Sequence, residues 1–218
     1  MRLIVGNYNY SSWSLRAWLI ARRAQVEFEE LRIALYQPDS HALLEANCPA
    51  LKVPVLEDGS LHVWDSLAIA EYLAELDAAL WPETVAQRAA ARSMCAETHA
   101  GFSALREELP MNCRRLPGPV AISPACAADV DRIVALWTDC LAQENGGTWL
   151  FGRWSIADAF FAPVALRLHT YAVPVSGAAQ AYIERQLDDP LVQEWCERGA
   201  AETEIIAGAE LPGDAANA

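Results

Sequence analysis

Strand-like patterning is confined to the first 64 residues of this 218-residue chain, and that confinement narrows the fold sharply. Leu3-Ile4-Val5 opens an apolar strand reaching about Asn7, and an amphipathic helix follows from about Ser12 to Ala24, with Trp18, Leu19 and Ile20 apolar and Arg16, Arg22 and Arg23 polar. Val26 to Ala34 alternates apolar and polar positions, as a half-buried strand does. Pro38-Asp39-Ser40 starts a helical segment that runs to about Ala46. Val53 to Leu56 is apolar and β-branched, Asp58-Gly59 is a hairpin turn, and Ser60 to Trp64 is the return strand. Asp65-Ser66 then caps a helix with Leu67, Ile69, Ala70 and Leu73 at helical spacing.

The order is strand, helix, strand, helix, hairpin, helix. A right-handed β-α-β crossover gives a parallel pair, and the added hairpin makes a four-stranded mixed sheet. This is an α/β thioredoxin-like arrangement, expected over residues 1–79. Pro54 falls inside a strand pattern, where proline needs an edge, a bulge or a cis bond. A cis bond there turns the backbone groups of Val53 outward, open to pairing with a peptide-like ligand. The texture changes at Trp81-Pro82-Glu83, within an expected linker over 80–86. Beyond it only helical periodicity is found, over about Val85–Glu108, Ala127–Gln143, Ser155–Tyr171, Ala178–Leu187 and Pro190–Ile206. Residues 87–218 are therefore expected to form an all-α helical bundle ending in a loose acidic tail from about 208.

The formal net charge of -13 argues against nucleic acid or an anionic membrane surface as the main partner, and is read as a solubility feature. No apolar run has transmembrane length, and no signal peptide is indicated. The six cysteines, at 48, 95, 113, 126, 140 and 196, form no Cys-x-x-Cys pair, and the four histidines are scattered. No metal site is expected, and reduced thiols in a cytoplasmic protein are. Cys95, Cys140 and Cys196 fall within helical patterns and read as core residues; Cys48, beside Pro49, has packing and redox readings.

Three places converge at one edge of such a sheet: the first βα turn, the turn before the third strand, and the start of the last helix. They supply Ser11 and Ser12, then Lys52-Val53-Pro54, then Asp65-Ser66. A helix N-terminus carries unsatisfied N–H groups and the positive end of the dipole, so hydroxyls placed there stabilise negative charge. Serine is equally an ordinary helix cap, and that reading stands beside the functional one. Lys52 and the Ser66 helix start suit carboxylates, and Asp65 suits an ammonium group. The set fits a small peptide with a free amine, two carboxylates and a thiol.

At these residues the chain resembles the glutathione S-transferase family, over roughly 1–204, and is similar to a zeta-like bacterial member. Ser11-Ser12-Trp13-Ser14-Leu15-Arg16 resembles the Ser-Ser-Cys-x-x-Arg signature of the zeta class, with Trp13 where those members have cysteine. Pro49-Ala50-Leu51-Lys52-Val53-Pro54-Val55-Leu56 resembles the strand-three motif, with Leu51 in place of the usual glycine. Asp65-Ser66-Leu67-Ala68-Ile69 resembles the γ-glutamyl-binding helix start, with Asp65 in place of a longer Glu or Gln, and Ser155-Ile156-Ala157-Asp158 the buried capping box. The resemblance implies glutathione as co-substrate, Ser11 as thiol activator with Ser12 as its neighbour, Val53 with Pro54 as the backbone clamp, Ser66 with Asp65 at the γ-glutamyl group, Lys52 at the glycyl carboxylate, and a homodimer.

The second substrate is expected between the two regions. Trp13, Met111, Arg114 and Arg115 are the candidates to meet it, the arginines being equally readable as solvated surface charges. Phe160, Phe161 and Tyr171 form an aromatic cluster that reads chiefly as core, and Ser155 and Asp158 as structural capping. The expected activity is conjugation of the glutathione thiolate to a small electrophile. Two alternatives stand beside it: a zeta-like glutathione-dependent cis–trans isomerase of the maleylacetoacetate isomerase type, serving aromatic amino-acid catabolism, and a transferase-like binding protein without turnover.

Overall fold

The computed structural model describes residues 1–143, 147–175 and 177–211. Four strands, β1 (Arg2–Val5), β2 (Glu29–Arg32), β3 (Val55–Asp58) and β4 (Leu61–Trp64), form one sheet in the order β2-β1-β3-β4. β1 pairs parallel to β2 and antiparallel to β3, and β3 pairs antiparallel to β4. The hairpin turns on Gly59, whose φ of +60° favours glycine. Helices α1 (Ser12–Arg23), α2 (Ser40–Asn47) and α3 (Ser66–Leu76) flank the sheet. This is the thioredoxin-like region expected. β2 is shorter than the alternation over Val26–Ala34 suggests.

The rest is helical: α4 (Val85–Ala100), α5 (Ser103–Glu108), α6 (Pro124–Leu141), α7 (Ile156–Thr170), α8 (Gly177–Leu187) and α9 (Pro190–Ala200). The single helix expected over Val85–Glu108 is two. Gly101 ends α4, and Phe102 adopts a left-handed φ of +58°, which no helix continues through. α6 begins at Pro124, capped by Ser123, three residues before the expected start. α9 stops at Ala200, short of Ile206, and residues 202–206 carry no regular secondary structure. The chain is tied down as far as Glu210; the end of the expected loose tail, residues 212–218, and Asn145-Gly146 of one expected connector lie outside the described residues.

α7 is the central element. It is buried on nearly every side and packs against α1, α4 and α8. Its start is fixed by the capping box of Ser155 and Asp158. The Asp158 carboxylate is fully buried and accepts from the Ser155 amide (2.8 Å), the Ser155 hydroxyl (3.1 Å), the Tyr182 hydroxyl (2.9 Å) and the Leu150 amide (3.3 Å). Burial raises its pKa to about 6 against those bonds, so the carboxylate depends on all of them. Phe160 and Phe161 are fully buried, as is nearly all of Tyr171. Cys48, Cys95, Cys126 and Cys140 are buried; Cys196, expected in the core, is only half-buried at its margin, as is Cys113.

Removing the Asp158 carboxylate strands four buried donors, of which the two amides and the Tyr182 hydroxyl alone cost about 1–3 kcal/mol each. Asp158→Ala is therefore expected to lower unfolding stability by at least about 3 kcal/mol in urea titrations, whereas a loss under 1 kcal/mol contradicts this role.

Candidate functional site

β1 delivers the chain to the site through Gly6. A Cβ built there meets Val53 Cγ2 at 3.1 Å and Ser11 Cβ at 3.2 Å, so glycine lets the strand-three loop approach the serine turn. Residues 7–12 then turn tightly, with the Ser11 amide donating to Asn7 O (2.9 Å) and the Ser12 amide to Tyr10 O (3.0 Å). The Asn7 side chain holds the loop after β2 by accepting from the Leu35 amide at 2.8 Å.

The two serines are used differently. Ser11 is the N-cap of α1: its hydroxyl oxygen accepts from the Ser14 amide at 3.3 Å and bonds Ser14 Oγ at 2.8 Å, and Ser14 Oγ in turn accepts from the Gly6 amide. Ser12 stands in the first turn, and its oxygen accepts from Arg167 Nη2 at 3.3 Å. That bond leaves the Ser12 proton available for donation.

Ser11, Ser12 and Trp13 line a cleft of about 1370 Å³ that Lys52, Val53, Pro54, Asp65 and Ser66 also line. All five expected glutathione-binding positions thus meet both serines across one space. The Val53–Pro54 bond is cis, one of the three arrangements open to a proline in that pattern. Leu51, standing where a glycine is usual, takes a left-handed φ of +53°. Asp65 caps α3 by accepting from the Leu67 amide at 2.8 Å, while its other oxygen lies 3.4 Å from His99 Nε2. Ser66 is fully buried, and its hydroxyl has no partner in the protein. An unpartnered buried hydroxyl at a helix start is a ready carboxylate contact.

The expected second-substrate residues divide. Trp13 is in the cleft, its ring meeting His99 edge-on at 4.9 Å and lying against the guanidinium groups of Arg16 (4.6 Å) and Arg106 (5.2 Å). Met111, Arg114 and Arg115 do not line it. Met111 is buried in the core, and Arg115 lies over the Tyr171 ring at 5.1 Å. The arginines that do line the cleft are Arg106 of α5 and Arg167 of α7. Arg167 is almost fully buried; burial, then Arg106, lowers its pKa to about 9, and its Nε and Nη1 atoms have no protein partner. Arg106 Nη1 is unpartnered as well, and burial holds that guanidinium below its ordinary range. Arg16 is fully buried, with all three guanidinium nitrogens unpartnered. The sequence carries a signal for Arg167, seven residues after Phe160 and so on its face of α7; Arg106 was hidden by the unexpected break before α5.

Arg114 has a structural task. Residues 202–210 form a strap along the cleft, to which Ile205, Ile206, Ala207, Gly208 and Ala209 contribute. The Glu202 carboxylate accepts from the Tyr8 amide (2.8 Å), the Asn9 amide (3.0 Å) and Arg32 (3.0 Å). Arg114 donates to Glu202 O (2.6 Å) and to the Tyr10 hydroxyl (2.7 Å), and pairs with Glu210 at 3.3 Å. Tyr10 and Asn112 also hold the Glu210 carboxylate. The sequence does not show this wall, because the helical periodicity of α9 runs on to Ile206.

No group of His, Cys, Asp and Glu side chains suited to a metal ion occurs among the described residues. No described helix is long and apolar enough to cross a membrane.

Residues 10–76 match the sequence model of the family described as Glutathione S-transferase, N-terminal domain. Among solved structures, a glutathione transferase homolog from Burkholderia gl BGR1, with bound glutathione, is 26% identical, with 92% of this chain and 98% of that chain covered and a TM-score of 0.68. Maleyl pyruvate isomerase, a bacterial zeta-class enzyme in its holo form, is 20% identical, covering 94% and 100%, with a TM-score of 0.71. A theta-class glutathione S-transferase from Xanthomonas axonopodis pv. citri, with glutathione bound, is 24% identical, covering 93% and 97%, with a TM-score of 0.62. No curated protein matches the chain. The N-terminal part is thus matched to the glutathione S-transferase family by its sequence, and the whole fold is that of glutathione S-transferases.

Arg114→Ala removes both the charge and the hydrogen bonds that fasten the strap. Amide exchange over 202–210 should then rise by tenfold or more, since hydrogen bonds to charged groups contribute about 1.5–3 kcal/mol each. Unchanged protection would show that Glu202 alone holds the segment.

Proposed function

We propose that the cleft binds glutathione, lowers the pKa of its thiol, and presents the thiolate to a small electrophile. The observation that carries this reading is the placement of Ser12: a hydroxyl at the start of α1, polarised by buried Arg167, in one cleft with the unpartnered Ser66 hydroxyl and the Val53–Pro54 strand start. In this reading Ser66 and the first amides of α3 take the γ-glutamyl carboxylate, and the exposed oxygen of Asp65 takes the amine. Val53 pairs with the cysteinyl backbone, Lys52 meets the glycyl carboxylate, and Trp13 walls the sulfur. Ser12 is the donor to sulfur. Ser11, engaged as the cap, holds the turn and is its reserve. Glutathione-bound relatives on the same fold support the ligand.

A free thiol of pKa about 8.5 is only about 3% ionised at pH 7. Lowering that pKa by about two units makes it mostly thiolate, a gain of roughly twentyfold to thirtyfold in nucleophile, worth about 2 kcal/mol. A helix N-terminus, one hydroxyl donor and a buried guanidinium are sufficient sources for such a shift. Positioning of the electrophile supplies the rest of the acceleration.

Arg106 and Arg167 favour an electrophile carrying a carboxylate. Both residues line the same space as the thiol site, and each keeps a buried guanidinium nitrogen without a protein partner. The same pair supports a second reading, reversible thiolate addition to the double bond of an unsaturated dicarboxylate with cis–trans isomerisation on release. A zeta-class isomerase among the structural relatives is consistent with it. We place the protein in the cytoplasm as a homodimer in either case.

Two substitutions separate binding from chemistry. Ser66→Ala should weaken glutathione binding by about 1.5–3 kcal/mol in calorimetry, because it removes a bond to a charged group. The Ser11→Ala, Ser12→Ala double variant should retain affinity within threefold yet lose roughly 100-fold in kcat/KM with chlorodinitrobenzene or an unsaturated carboxylate, the scale of deleting a donor to a developing anion. Full activity in the double variant would reduce the serine turn to a helix cap.

A further inference from the structure

Two half-buried cysteines from separate elements meet behind the serine turn, outside the cleft. The Cys113 amide donates to Asn9 O at 3.2 Å, and its thiol reaches Tyr8 O at 3.7 Å. α9 lies against the same two residues. A Cβ at Gly199 would sit 3.0 Å from Asn9 Cα and 3.1 Å from Tyr8 C, and Trp195 meets the Tyr8 ring at 4.7 Å. Cys196, three residues before Gly199, shares that face of the helix. Each of the two thiols is the largest influence on the other's ionisation, as befits neighbours that share the Tyr8–Asn9 contact.

We propose that Cys113 and Cys196 form a reversible dithiol–disulfide site that exchanges with small-molecule disulfides. Their mutual influence raises the pKa of Cys113 and lowers that of Cys196, and in this proposal Cys196 attacks as the thiolate. The other four thiols are all pushed up, first by burial, those of Cys48, Cys126 and Cys140 to about 11. The Cys196 sulfur attacks one sulfur of R–S–S–R. That S–S bond breaks, and R–S⁻ leaves and takes up the proton Cys196 had lost. Cys113 then gives up its proton and attacks the Cys196 sulfur of the mixed disulfide. The second R–S⁻ departs and is protonated. The protein loses two electrons and two protons, and the small disulfide becomes two thiols.

The resulting bond joins the segment carrying Arg114, which latches the strap, to α9, which leads into it. Both anchors of the strap would be fastened to each other across Tyr8 and Asn9. The proposal does not depend on what the cleft binds.

The test uses the reduced full chain and hydroxyethyl disulfide, a probe without glutamyl or glycyl groups. Peptide mass spectrometry after rapid alkylation should recover the Cys113–Cys196 cross-linked pair. Cys113→Ser should instead hold a stable hydroxyethyl mixed disulfide on Cys196. Iodoacetamide on the unmutated protein should label Cys196 roughly tenfold or more faster than Cys48. Cross-links confined to other cysteines, a mixed disulfide that forms on Cys113 in Cys196→Ser but not on Cys196 in Cys113→Ser, or equal labelling of Cys196 and Cys48 would each overturn the assignment.

Discussion

Helix α1 packs on α7 only by burying Arg16 completely. Its guanidinium lies between the Trp13 ring at 4.6 Å and the Phe160 ring at 4.8 Å, and no oxygen of the protein bonds it. Burial is the largest influence on its pKa and holds it well below the ordinary arginine range, with Arg106 and Arg167 acting in the same direction. Two aromatic faces offset part of that cost through cation–π contact. The seam fixes the thioredoxin-like region against the helices, and it brings Arg167 of α7 to Ser12 of α1.

A chain of net charge -13 therefore keeps buried arginines at its cleft. Arg106 and Arg167 line the cleft, Arg16 lies beneath Trp13, and their unpartnered nitrogens leave unmet hydrogen-bonding capacity. An anion beside Arg106 and Arg167 would offset their mutual repulsion, which a neutral ligand would leave in place. Asp65 is the acidic residue in the cleft lining; Glu202 and Glu210 face the backbone and Arg114, and Asp158 is enclosed by Ser155, Leu150 and Tyr182. The field at the serine turn is thus set by a few buried cations in a mostly acidic molecule.

The local parts of this arrangement are legible in the sequence. The Asp65-Ser66 start of α3, the hairpin at Gly59 and the Ser155–Asp158 box each follow from short-range chemistry, and each is found; at Pro54 the cis bond is one of the three arrangements the pattern allows. What depends on distant contacts is not legible. Phe102 takes a left-handed backbone conformation although it lies within a continuous helical periodicity. Residues 202–206 leave the helix because Glu202 finds the Tyr8 and Asn9 amides nearly two hundred residues away. Arg114 and Arg115 follow a predicted helix and look exposed, yet one latches the strap and the other covers Tyr171. Arg106 and Arg167 come to the cleft instead, because a helix break and a central buried helix place them there.

The central claim is that this turn stabilises a thiolate. An ultraviolet titration of the glutathione complex of the unmodified protein tests it directly, since thiolate absorbs where thiol does not. The account predicts an apparent thiol pKa about two units below the free value of roughly 8.5, with half ionisation near pH 6.5. A bound thiol that titrates at or above its free value would contradict it.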